Sequence, residues 1–136
     1  MANARFAISV HMMLLMAIEE NQWLSSSYMA QSIDVNPGIV RRELIGLKEK
    51  GLVESKEGKG GGSRLARPAD KITLGHIYEV VKDEYLLGLN KNNPLVACPI
   101  GKNINKNLSN LYEEADGLIN QRFHQITLKK FLNQFI

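Results

Sequence analysis

Cysteine is almost missing from this chain: Cys98 stands alone among 136 residues. One cysteine excludes an intrachain disulfide and fits a reducing compartment. Long apolar runs are missing too. Hydrophobic residues make up 44%, enough for a core, yet no stretch approaches the ~20 consecutive apolar residues of a membrane helix. Residues 1–20 hold one arginine and an apolar run, but no small-residue cleavage site precedes Glu19 and Glu20, which argues against a signal peptide. A cytoplasmic protein with no membrane partner is expected. Metal-ligand spacing is lacking as well: His11, His76 and His124 are far apart, so no metal site is expected and surface or capping roles are. The glycine-rich run has neither the Gly-Lys-Ser/Thr ending of a nucleotide P-loop nor the spacing of a dinucleotide fingerprint.

Charge of one sign is scarce: 17 Lys and Arg against 14 Asp and Glu leave +3. The distribution says more. Within residues 36–68 lie Arg41, Arg42, Lys48, Lys50, Lys56, Lys59, Arg64 and Arg67, against Glu43, Glu49, Glu54 and Glu57. This local excess of cations fits phosphate contact, or an ordinary solvated face.

What is present is helical periodicity and one hairpin. Phe6, Val10, Met13, Leu14 and Ala17 recur at helical spacing, so the first helix is expected over residues 4–18. Ser25, Ser26 and Ser27 offer N-caps for a second helix ending near Ile33, with Met29, Ala30 and Ile33 inward. Pro37 suits the first turn of a third helix, in which Val40, Leu44 and Leu47 face the core and Arg41 and Arg42 face outward; Gly51 ends it. Leu52-Val53 and Leu65-Ala66 then read as two strands, with Gly58, Gly60, Gly61 and Gly62 between them. Thr73 caps a fourth helix to about Val81, with Ile72 stapled onto Ile77. Residues 90–94 read as a loop.

After Cys98 and Pro99 comes the longest helical pattern. Ile104, Leu108, Leu111, Ala115 and Leu118 alternate four- and three-residue steps, a coiled-coil-like seam. A second subunit is expected to bury it; the alternative is packing against the first helix. Thr127 caps a last short helix, with Ile126 over Phe131. The fold class is mainly α with a small β-hairpin wing, a winged helix-turn-helix plus a long dimerisation helix. The division expected is 1–83 for the DNA-binding module and 84–136 for the Cys98 loop, the long helix and the short C-terminal helix.

Three ordered segments, NPGIVRRELIGLKEKGLVES, GKGGGSRLARPAD and ITLGHIYEVV, resemble the Rrf-two family of bacterial transcriptional regulators, and the likeness spans nearly the whole chain. The CPIGKNI segment resembles one subgroup of it. The resemblance implies a winged-helix homodimer on palindromic double-stranded DNA. It places Arg41 and Arg42 toward bases, Asn36 and Gly38 near phosphates, and the wing from Lys56 through Lys59 to Arg64 along the minor groove. Two departures stand out. Glu57 holds the place before the first wing glycine where some members have arginine. Cluster-binding members use three cysteines near the long helix, whereas this chain has Cys98 alone, so no iron–sulfur cluster and no other cofactor is expected.

The chemistry fits those places. Arginine bonds guanine O6 and N7 bidentately, worth ~1–3 kcal/mol of discrimination. Lys59 and Arg64 suit phosphate, which gives affinity and register without sequence information. A thiol at the start of a helix meets unpaired N–H groups that favour its thiolate, and Lys102 adds to this; Cys98 is thus a candidate sensor for an oxidant or small electrophile. The plainer role is a small buried side chain. An enzyme using Cys98 needs a base, and no histidine lies nearby in sequence. The expectation is a dimeric transcriptional regulator acting as a repressor; the alternative is a winged-helix protein–protein adaptor that never binds DNA.

Overall fold

The first helix, α1 (Arg5–Ile18), is apolar on more than one face because neighbours surround it. Val10, Met12, Met13, Leu14, Met16 and Ala17 are all buried. The computed structural model describes residues 4–82, 87–92 and 94–136. Along them follow α2 (Ser26–Ile33), α3 (Pro37–Glu49), β1 (Val53–Lys56), β2 (Gly62–Leu65), a 3₁₀ turn (Ala69–Lys71), α4 (Leu74–Val81), α5 (Pro99–His124) and α6 (Leu128–Leu132). α1 touches α2, α3, α4, α6 and β2.

The helices begin where local chemistry starts them. Ser25 accepts the N–H of Tyr28 at 3.0 Å, and Thr127 accepts that of Lys130 at 3.1 Å. Thr73 accepts the N–H of His76 at 3.1 Å, and the His76 ring returns a bond to the Thr73 N–H at 3.0 Å. Histidine thus completes a capping box usually closed by Glu or Gln. Ile72 and Ile77, expected as its staple, are both fully buried. α3 ends in a Schellman turn. Gly51 takes φ 72°, its N–H reaches the Lys48 carbonyl and that of Leu52 the Leu47 carbonyl, both at 3.0 Å.

β1 and β2 pair antiparallel from Val53 with Leu65 to Lys56 with Gly62. The hairpin is longer toward its tip than expected, and Ala66 lies outside it. The reason is Leu24, whose backbone joins as a third partner: its N–H donates to the Ser63 carbonyl at 2.9 Å and its carbonyl accepts the Ser63 N–H at 2.8 Å. Gly62, expected to break the strand, belongs to it. A Cβ there would lie 2.4 Å from the Leu24 oxygen, so only glycine admits the pairing.

The expected division at 83–84 falls outside the described residues. α6, assigned by sequence to the second part, packs into the core of the first. Leu128 and Leu132 are buried with α1, and the Leu128 N–H reaches the Ile72 carbonyl at 2.7 Å. α5 differs: none of its residues is buried. Its C-terminal half is tied to α4 through Tyr78 and Lys82 on Asp116, and to α1 through Phe123, stacked on Phe6. Along the expected seam Ile104 and Leu108 are half-buried and Ala115 exposed, while Leu111 and Leu118 are 56% and 65% exposed. α1 does not cover this stripe.

Candidate nucleic-acid interface

α3 presents its polar side outward. At its start the Asn36 Oδ1 accepts the Gly38 N–H at 2.8 Å. That oxygen caps the helix, and Asn36 and Gly38 stand at its N-terminus, where phosphate is expected. Arg41 is exposed and has no ion-pair partner among the described residues. Arg42 is exposed too, with its Nε 3.6 Å from Glu43 Oε1. Ile45, one turn beyond Arg41, is 56% exposed; sequence reading passed over this apolar side chain on the outward face.

The burial of Glu43 was also passed over. Glu43 is 2% exposed, and Arg5 of α1 donates from Nε to both its oxygens, at 3.0 and 3.3 Å. Its spacing from Val40 and Leu47 carries the signal: three after one and four before the other, it lies on the inward stripe.

In the wing, Lys56, Glu57 and Lys59 are exposed. Arg64 departs from expectation as a free phosphate contact. Its Nε lies 2.6 Å from Glu54 Oε1, and its guanidinium sits 4.1 Å from the centre of the Trp23 ring. These contacts tie the hairpin's base to the turn before α2, each worth about 1 kcal/mol or less. Arg67, just beyond β2, bonds the Lys50 and Gly51 carbonyls at 3.3 and 3.4 Å, a cation on the C-terminal dipole of α3. Arg41 on α3 and Lys56 and Lys59 on the wing are thus exposed cations with no ion-pair partner among the described residues, as are Lys48 and Lys50 at the far end of α3.

Cys98 is the N-cap of α5. Its Sγ accepts the Gly101 N–H at 3.4 Å. Hydrogen bonds from the Gly101 and Ile100 amides hold the thiol below its ordinary value. His124 ends the same helix, about 39 Å away along its 26 residues. That distance excludes a Cys98–His124 pair within one chain. His124 instead joins α4: its Nδ1 meets Thr73 Oγ1 at 3.1 Å and its Nε2 Glu79 Oε1 at 2.8 Å, with the His76 ring edge-on at 5.1 Å. Burial first, then the His124 charge, holds His76 below 6.5. Beside α1 and α6 lies an apolar groove of about 480 Å³, lined by Val10, Leu14, Ile18, Phe131 and Phe135, with His11 as a polar member.

The Rrf2 family of iron-dependent transcriptional regulators matches residues 2–134. The chain belongs to this family. Over 133 residues it is 32% identical to the HTH-type transcriptional regulator YwnA of Bacillus subtilis (strain 168), with 98% of each chain covered. Among solved structures, a transcriptional regulator from Lactobacillus plantarum shares 25% identity at a TM-score of 0.77, covering 97% of this chain and 89% of that one. A structure described as a DNA-binding protein shares 27% identity at a TM-score of 0.72, covering 94% and 98%. The chain is therefore a transcriptional regulator with the winged-helix fold of the Rrf2 family. The family's iron finds a poor donor set here. A cluster takes four ligands; Cys98 is the one cysteine, and among the described residues no three His, Cys, Asp or Glu are grouped to hold a metal. The described residues of one chain do not supply the donors that such a group needs. No described helix is long and apolar enough to cross a membrane.

Proposed function

We propose that this Rrf2 regulator is a homodimer that binds palindromic double-stranded DNA and represses transcription there. The observation that carries the reading is the outward face of α3, where Arg41 is exposed with no ion-pair partner among the described residues, followed by a wing tip on which Lys56 and Lys59 are exposed. α3 supplies base readout and the wing tip supplies backbone grip. The unburied stripe of α5 supports pairing of two chains, which sets two α3 helices on half-sites about one DNA turn, ~34 Å, apart. Cys98 supplies regulation: its thiolate adds to the carbon–carbon double bond of a small activated alkene, the S–C bond forming as the π bond breaks and the neighbouring carbon takes a proton from water, and the DNA is released.

Selection from a pool of random duplexes tests this. The wild type is expected to enrich a palindrome, and Arg41→Ala to lose preference at one base pair in each half-site by roughly tenfold. No enrichment by the wild type would favour an adaptor role. An Arg41→Ala loss equal on all sequences would make Arg41 a phosphate contact. A Cys98→Ser protein that still releases DNA on electrophile treatment removes the sensing role.

A further inference from the structure

Glu43 presents an unusual arrangement for a helix that reads DNA. Its side chain is 1% exposed, it lies on the core face of α3, and two hydrogen bonds from Arg5 of α1 fix its carboxylate. An apolar residue of similar volume packs such a position as well or better, because an ion pair removed from water gains little over a hydrophobic substitute. The consequence of the charge is therefore sought in its neighbours. The neighbour is Arg42, whose Nε stands 3.6 Å from Oε1 while its side chain is 67% exposed. Because Arg5 anchors the carboxylate, Arg42 adjusts to Glu43 and not the reverse. The Glu43 contact is made by Nε, so the two terminal nitrogens of this exposed side chain stay available for guanine O6 and N7. Arg41 has no such partner, so the two adjacent arginines are not equivalent.

We propose that Glu43 is a positioning residue for DNA recognition: anchored by Arg5, it restricts the Arg42 guanidinium to the orientation that reads a base. This rests on the reading of α3 as the DNA-contacting helix. Restriction before binding lowers the ordering cost at binding and sharpens discrimination between bases. Arg5, 38 residues away in sequence, thereby influences specificity without touching DNA.

The test is Glu43→Gln, whose Oε1 still accepts from Arg5 while the charge on Arg42 is gone. Two readouts are taken. In the free protein, the ¹⁵N–¹H signal of Arg42 Nε, assigned by its loss in Arg42→Ala, is expected to shift and to exchange faster with water in Glu43→Gln. An unchanged signal overturns the proposal whatever DNA does. In the random-duplex selection, Glu43→Gln is expected to lose roughly tenfold preference at the same base pair as Arg42→Ala, and the double variant to lose no more than Arg42→Ala alone. Additive losses would mean that Glu43 acts through folding, and overturn it. If Glu43→Gln folds poorly, the apolar pair Arg5→Met with Glu43→Leu is expected to fold and to show the same loss; full retention of preference there overturns it. Should the wild type enrich no sequence, the reading of α3 fails, while the signal of Arg42 still decides its coupling to Glu43.

Discussion

A buried carboxylate is the most demanding side chain in this molecule. Glu43 is satisfied from α1, and removing its partner leaves a charge with poor solvation in the core. Arg5→Ala is expected to destabilise the fold by about 3 kcal/mol, the lower end for a broken buried pair, since Arg42 stays near. Urea denaturation measures this, and Arg5→Met with Glu43→Leu is expected to recover most of it. The same scale explains what was legible in the sequence. Arg41 and Arg42 were placed outward correctly because Val40, Leu44 and Leu47 fix the helix phase. The partners of Arg64 were not legible because they are tertiary: Trp23 and Glu54 meet it only once Leu24 pairs with the wing. Asn36 also caps α3, a role its position before Pro37 already marks.

At the scale of elements, the joint between α4 and α5 is specified proton by proton. The His76 ring accepts from the Thr73 N–H, so its Nδ1 must be free of a proton. Burial and the facing His124, with Arg67, hold its pKa below 6.5, against an opposing pull from Glu79. A base with a lowered folded value is neutral in the fold while the unfolded chain is already protonated. Its stabilising contribution is thus complete above pH 6.5 and is lost as pH falls through the folded value. Glu79, held low chiefly by its bond from His124, and Asp116, where bonds from Lys82 and Tyr78 outweigh burial, lose theirs only below the carboxylate range. Thermal melts are therefore expected to show a first loss of stability just below pH 6.5. His76→Gln, which keeps the capping bond without the titration, is expected to remove that first step. An equal step in His76→Gln would place its origin elsewhere. The caps at Ser25, Thr73 and Thr127 were legible because they are local. The His124 joint was not: its partner Thr73 is 51 residues away and no periodicity links them.

The molecule as a whole has a packed module, closed by α6, and a helix with no buried residue. Composition and periodicity made the long apolar seam legible; Leu111 and Leu118 on it stay exposed among the described residues. Burying a leucine on a partner contributes about 1.5–3 kcal/mol. Leu111→Asp with Leu118→Asp is expected to give a monomer by sedimentation that keeps the wild-type helical content. DNA binding by that variant is expected to lose the advantage of two linked half-sites. A dimer unaffected by both changes would move the pairing surface elsewhere, the groove between α1 and α6 being the next apolar surface to examine.

The central claim is that α3 and the wing of this Rrf2 regulator grip DNA. The most direct measurement is equilibrium affinity for the selected palindrome and a scrambled duplex between 50 and 200 mM salt, roughly the range over which phosphate contacts declare themselves. The account predicts steep, near-parallel slopes of about −0.9 per phosphate neutralised, with the palindrome tighter throughout. Affinity that is flat in salt, or absent for both duplexes, would contradict it.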